Sequence, residues 1–181
     1  MHMTSWMVRG AFCVGMALAA TQATAQGAAG ETSNRVATMS DWSVFTADNP
    51  KQCWGVSAPK SSVNTRGGKP ATVQRGDILL FVTFRNGGNP SGEISFTGGY
   101  GFAAKSTATL ELDGQKFDLF TDGEWAWPKT PADDSGLLDA LKKGSEAKIT
   151  AHSDRGTQTV DTFSLTGFTA ALAEAQKRCA K

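Results

Sequence analysis

Beyond its N-terminal segment, the chain has a single histidine that could take part in catalysis or metal binding. The sequence holds two histidines, His2 and His152, and only His152 lies beyond the N-terminal segment. Ser153 and Asp154 follow it directly, but chain neighbours cannot orient one another as the members of a catalytic triad must. A transition-metal site would need further imidazole or thiolate ligands. We therefore expect a surface or strand-end histidine, no catalytic residues and no metal or other cofactor.

Carboxylates and aromatic rings are the other residue types able to act on a ligand. Asp118, Glu124 and Asp161 could supply the carboxylate pair that hydrolyses a glycoside, although their spacing does not fix the distance between them. Trp125 and Trp127 lie two apart on a short predicted strand and so share one face. Such a pair forms either a core layer, which is its commoner use, or an exposed platform for a glycan or peptide.

The tripeptide Arg75-Gly76-Asp77 is one that integrin receptors read on mobile loops. Here it directly precedes the apolar run at residues 78–84, which favours a turn leading into that strand over a displayed loop. The run does not alternate between apolar and polar residues. It therefore predicts a central strand buried on both faces.

The N-terminal segment predicts export. Residues 1–9 carry Arg9 and no acidic side chain, residues 10–20 form an apolar run, and Ala23-Thr24-Ala25 is a small-x-small cleavage site. A membrane-spanning helix needs about 20 apolar residues, and this run is shorter. We predict a signal peptide at residues 1–25 and no transmembrane anchor after cleavage. A buried N-terminal helix is the alternative.

Removal of residues 1–25 changes the net charge and the number of cysteines of the remaining chain. Of 18 basic and 17 acidic residues only Arg9 lies in residues 1–25, which leaves 17 of each sign. A neutral chain lacks the basic face that phosphate binding requires, so we expect no nucleic-acid partner. Cys53 and Cys179 remain of the three cysteines. In an oxidising compartment they predict one disulfide.

Strands and two helices would position these residues. Asp-Gly turns at residues 113–114 and 122–123 predict a meander that ends in the tryptophan strand. A short internal helix buries Leu137, Leu138 and Leu141, and a C-terminal helix carries apolar residues at helical spacing up to Cys179. We divide the chain into a signal peptide (1–25), a flexible leader (26–40) and a single β-sandwich domain (41–181).

In their order and spacing, a series of short motifs resembles the bacterial invasion-associated locus B family. The motifs run along nearly the whole chain beyond the signal peptide: Asp41-Trp42, Cys53, Arg66-Gly67-Gly68, Arg75-Gly76-Asp77-Ile78, Phe81-Val82, Ser95-Phe96-Thr97-Gly98-Gly99-Tyr100, Phe120-Thr121, Gly123-Glu124, Ala126-Trp127-Pro128, Arg155-Gly156-Thr157, Asp161-Thr162-Phe163-Ser164-Leu165, and Gly167-Phe168 with the helix to Cys179. Gly101 stands where many relatives have proline, which affects only the local turn.

The resemblance implies an exported, mainly β, immunoglobulin-like sandwich associated with the cell envelope. Members are named for a role in the invasion of host cells, and the family has no established catalytic residues. We therefore expect a non-enzymatic accessory or binding protein, periplasmic or secreted and able to associate with the outer membrane. Its expected partner is a protein or glycan of the envelope or of a host surface.

Three segments are predicted to form the contact surface. They are the loops at residues 65–69 and 86–92 and the strand of Trp125 and Trp127. The first loop is basic through Arg66 and Lys69, which suits an acidic glycan, a lipid headgroup or a peptide carboxylate. Two alternatives stay open: an envelope-polymer hydrolase that uses a carboxylate pair, and a structural or stress-tolerance protein without a specific ligand.

Overall fold

Strands make up most of the fold. The computed structural model describes residues 34–85 and 88–180, so the predicted signal peptide lies outside the described residues. In chain order the elements are β1 (Asn34–Met39), β2 (Trp42–Asp48), β3 (Lys51–Ser57), β4 (Ser61–Arg66), β5 (Lys69–Pro70), β6 (Leu79–Arg85), β7 (Glu93–Thr97), β8 (Thr107–Leu112), β9 (Gln115–Asp122), β10 (Trp125–Trp127), α1 (Pro131–Leu141), β11 (Glu146–His152), β12 (Gln158–Ser164) and α2 (Phe168–Cys179). Neither described helix combines the length and apolar character needed to cross a membrane.

The strands form one antiparallel sheet that folds over on itself. Their order is β1-β2-β3-β6-β7-β10-β9-β8-β11-β12-β4-β5. A short turn leads from β3 to β4, although the two strands are far apart in that order. The rings of Phe96 on β7 and Phe163 on β12 meet edge to face, with centroids 6.0 Å apart. Two layers therefore share one core, and the predicted mainly β, sandwich-like fold with two helices is confirmed.

The predicted central strand is β6, which pairs with β3 on one side and β7 on the other. Its side chains alternate: Leu80 and Val82 are fully buried, whereas Phe81 and Thr83 are partly exposed. The prediction of burial on both faces is wrong. The outer face of this strand borders an open groove, and Phe81 and Thr83 line it.

Part of the segment that is predicted to be a flexible leader forms strand β1. Of the predicted leader, residues 26–33 lie outside the described residues, but Asn34–Met39 pairs with β2, with an irregularity between Arg35 and Ala37. The segment is small and polar, so its own sequence gives little strand signal. Pairing with β2 decides its conformation.

Helix α2 covers the inner face of β2 and β3, as its apolar stripe predicts. Gly55 permits the close approach, because a Cβ atom there would lie 3.2 Å from Val82 and 3.4 Å from Ala171. Gly167 precedes the helix with φ of 93°, in the left-handed region that favours glycine. A side chain there would also collide with the carbonyl oxygen of Met39, at 1.8 Å.

Two further contacts hold α2 in place. The predicted disulfide joins Cys179, the last residue of α2, to Cys53 on β3, with the Cα atoms 5.6 Å apart. Trp42 is fully buried, its ring meets that of Phe168 edge to face at 4.9 Å, and its indole N–H donates to the Ser164 carbonyl at 3.0 Å. We call α2 with the inner face of β2 and β3 the disulfide-linked region.

Candidate functional site

An open groove of about 910 Å³ lies on the outer face of the sheet, where β6, β7 and β10 approach the start of α1. Phe81, Trp125 and Trp127 give it three aromatic rings. Its charged side chains are Arg85, Glu93, Lys129 and Asp134. We call this the aromatic groove.

The tryptophan strand supplies one wall of the groove. Alternation along β10 turns Ala126 into the core, where it is fully buried, and leaves Trp125 43% exposed on the outer face. The Trp125 ring lies 5.7 Å from that of Phe81, and the Trp127 ring packs edge to face against Phe120 at 5.8 Å. For Trp125 the core interpretation is therefore wrong. Neither Trp125 nor Trp127 has an indole hydrogen bond within the described part of the chain.

Residues 88–90 form a second wall together with the charged residues Arg85, at the end of β6, and Glu93, at the start of β7. Arg85 and Glu93 form an ion pair at 2.5 Å, and the Asn89 backbone N–H donates to the Glu93 carboxylate at 3.3 Å. The Asn89 side chain donates to the carbonyl of Pro131, the first residue of α1, at 3.3 Å. Residues 88–90 of the predicted 86–92 loop thus line the groove with the tryptophans, and residues 86 and 87 lie outside the described residues.

The start of α1 forms a third wall of the groove. Thr130 and Asp133 cap the helix reciprocally: the Asp133 N–H donates to the Thr130 hydroxyl at 3.2 Å, and the Thr130 N–H donates to the Asp133 carboxylate at 3.1 Å. Asp134 is buried and accepts a hydrogen bond from the Ile94 N–H at 2.8 Å. Burial raises the pKa of Asp134 from 3.8 to about 6, and the charge of Glu93 acts in the same direction.

The predicted basic loop lies elsewhere. Arg66 lines a separate polar cavity of about 640 Å³ and donates to the Thr157 hydroxyl at 2.9 Å. Lys69 is exposed on β5 and lines neither cavity. The structure therefore brings two of the three predicted contact segments together and leaves Arg66 and Lys69 outside the aromatic groove.

The Arg75-Gly76-Asp77 tripeptide is part of the fold. The Arg75 guanidinium forms an ion pair with Asp161 on β12, and the two side chains are 6% and 0% exposed. Arg75 also donates to the Gly98 carbonyl at 2.8 Å and lies 5.0 Å from the centre of the Tyr100 ring. A receptor could not read a guanidinium that is buried in this way.

The three carboxylates named from the sequence lie on different elements. Asp118 on β9 accepts from the Thr109 hydroxyl at 3.2 Å, Glu124 lies in the β9–β10 turn, and Asp161 is held by Arg75. Glu124 lines the polar cavity together with Asp154, and Glu93 and Asp134, which share the aromatic groove, were not predicted. The one sequence signal at Asp134 is its place among the acidic residues of the first turn of α1.

His152 is the exposed last residue of β11. Within residues 34–85 and 88–180, the structure places no three side chains of His, Cys, Asp or Glu together as metal ligands.

The comparison with known families agrees with the motif resemblance. Residues 42–176 match the model of the invasion associated locus B (IalB) protein family. No curated protein and no solved structure matches the sequence. The matched segment begins with β2 and extends into α2, so it includes every described residue of the aromatic groove. The chain belongs to the invasion-associated locus B family.

Proposed function

We propose that the chain is an exported, non-enzymatic binding protein of the cell envelope and that the aromatic groove is its ligand site. Membership of a family associated with invasion and the envelope supports the setting. The observation that carries the site is Trp125, which is 43% exposed beside Phe81 in an open groove. An exposed aromatic cluster bordered by polar groups is typical of a binding surface.

Arg66 and Lys69 form a separate contact in this proposal. Arg66 is exposed at the rim of the polar cavity, and Lys69 pairs opposite it in the β4–β5 hairpin. Two cations on one hairpin suit an acidic group of the partner. The hairpin would then contact a part of the partner that lies outside the aromatic groove, and this contact would be weaker and salt-sensitive.

Export is part of the proposal and is supported by the Cys53–Cys179 disulfide, a bond that persists in oxidising compartments. Protein expressed with its own N-terminus and recovered from the periplasm should begin at Gln26. Its intact mass should be two hydrogens below that of the same chain with free thiols. A retained N-terminal segment or two free thiols would contradict export.

The binding claim is tested by recovering partners from envelope extract. We expect the Trp125→Ala and Trp127→Ala variants to lose partners that the wild type retains. Val63→Ala is the matched control, because Val63 is an apolar side chain on β4 that is 56% exposed and does not line the groove. Equal recovery by the wild type and Trp125→Ala would reject the groove as the site.

One observation favours a second candidate, a hydrolase of envelope polymers. Glu93 and Asp134 share the groove, and a carboxyl group with a pKa of about 6 can act as a general acid. Against this, Arg85 holds Glu93 and the Ile94 N–H holds Asp134. New reducing ends released from envelope glycan by the wild type, and not by Asp134→Asn, would establish the hydrolase; we expect none.

A further inference from the structure

We infer that the aromatic groove takes a neutral pyranose saccharide, stacked on Trp125 with its hydroxyl groups turned toward the Arg85–Glu93 ion pair. The inference rests on the proposed function and names its ligand class. The apolar C–H face of a pyranose ring matches an exposed indole. Trp125 offers such a face beside Phe81, and Trp127 adds a second indole to the same groove.

The polar groups of the groove match hydroxyls because they include both donors and acceptors. Gln52, Arg85 and the two free indole N–H groups can donate. Glu93 and Asp134 can accept, since an ionised carboxylate has about four lone-pair sites and the described contacts use only some of them. A sugar hydroxyl donates and accepts at once, so both kinds of group find a partner.

The charges of the groove argue for a neutral ligand. Arg85 and Lys129 carry positive charge, and Glu93 and Asp134 are the acidic side chains that line the same cavity. Arg85 and Glu93 already neutralise one another as an ion pair. An anionic or cationic polymer would meet an opposite and a like charge together, and so would gain no net attraction.

A proline-rich peptide is the main competing ligand, because aromatic grooves also bind polyproline helices. Its backbone offers carbonyl acceptors and lacks N–H donors at proline. Such a peptide would cover Glu93 and Asp134 without adding a hydrogen bond to either, so the carboxylate lone pairs that Arg85, Asn89 and Ile94 leave to water would lose that water, which is costly. A saccharide avoids that cost, so the donor and acceptor pattern favours it.

The test uses the full secreted protein on an array of immobilised tetrasaccharides. Neutral probes are those of glucose, mannose and N-acetylglucosamine; sialylated and sulfated tetrasaccharides are the charged arm, and decaproline is the peptide arm. We expect retention on at least one neutral probe, with affinity weakened about tenfold or more by Trp125→Ala. Val63→Ala should bind as the wild type does. An unchanged midpoint of chemical unfolding in Trp125→Ala would show that the loss is not one of folding.

The other outcomes separate the ligand class from the site. Binding to decaproline or to charged probes alone, lost in Trp125→Ala, would overturn the saccharide and leave the groove as the binding site. Failure to bind any neutral probe would likewise overturn the assignment of a saccharide as the ligand. Recovery of envelope partners by the wild type and Trp125→Ala would still decide whether the groove is the binding site. Neutral binding that Trp125→Ala does not weaken would reject the groove as the place of binding.

Discussion

Trp42 and Trp125 lie on opposite faces of the same folded sheet and are held very differently. Trp42 is fully buried beneath α2, and its ring and its N–H both have partners, Phe168 and the Ser164 carbonyl. Trp125 is 43% exposed, touches Phe81, and its N–H has no acceptor among the described residues. The same residue type thus stabilises the fold in the disulfide-linked region and stays available for a ligand in the aromatic groove.

That contrast separates stability from binding. Changes in the disulfide-linked region should lower the free energy of unfolding and leave the affinity of the folded protein unaltered. Changes to the exposed tryptophans of the aromatic groove should weaken binding and leave the free energy of unfolding nearly unaltered.

Loss of the disulfide should have the largest effect. Cys53 and Cys179 are 126 residues apart, and closing so long a loop stabilises a fold by about 4–5 kcal/mol in the chain-entropy model. The Cys53→Ser/Cys179→Ser variant should therefore lose most of that amount in guanidinium unfolding. Binding in the groove should persist wherever the variant remains folded. A variant as stable as the wild type would show that the disulfide-linked region does not depend on its covalent bond.

Breaking the buried ion pair should have a smaller effect than losing the disulfide. Asp161→Ala leaves the Arg75 guanidinium buried without its carboxylate, which costs about 3 kcal/mol in free energy of unfolding. The double variant Arg75→Met/Asp161→Leu should recover most of the loss, because it leaves no buried charge. Asp139→Ala is the control: its partner is Lys142, the pair is exposed, and we expect a change below about 0.5 kcal/mol. Equal losses at Asp161 and Asp139 would contradict the structural role of the tripeptide.

Asp134 should give a smaller, pH-dependent effect. Its pKa is about 6 in the folded protein and 3.8 ordinarily, so its contribution to stability is present below pH 3.8 and is lost as pH rises through 6. Asn can still accept from the Ile94 N–H. Asp134→Asn should therefore raise the free energy of unfolding at pH 7 by about 1 kcal/mol, after allowance for its partial solvation.

Urea unfolding of the wild type and Asp134→Asn between pH 4 and 8 measures this effect. The two curves should diverge as pH rises through 6. Asp139→Asn, on the same helix but 68% exposed, should follow the wild type. Parallel curves for the wild type and Asp134→Asn would mean that the groove does not perturb this carboxyl group.

Local signals in the sequence predict the elements well. Asp113 and Gly114 join β8 to β9 with positive φ angles of 47° and 81°, as an Asp-Gly hairpin turn requires. Helices α1 and α2 carry the predicted buried stripes, and the two cysteines beyond residue 25 form the predicted disulfide. In each case residues close in sequence, or a single available partner, decide the outcome.

The groove could not be predicted in the same way, because it depends on how distant elements meet. Ile94 and Asp134 are 40 residues apart and are joined by one hydrogen bond. Residues two apart must share a face, but which face of β10 turns inward is decided by Ala126 packing opposite Phe96. The separation of Arg66 from Trp125 likewise follows from strand order, which no local motif encodes.

Paired measurements on Trp42→Ala and Trp125→Ala test the central contrast most directly. We expect Trp42→Ala to lower the free energy of unfolding by about 4 kcal/mol, because it empties a fully buried site. Trp125→Ala should change it by less than about 1 kcal/mol, and yet abolish recovery of envelope partners. The contrary result, in which Trp125→Ala unfolds as readily as Trp42→Ala or retains every partner, would mean that the exposed tryptophan belongs to the core or plays no part in binding.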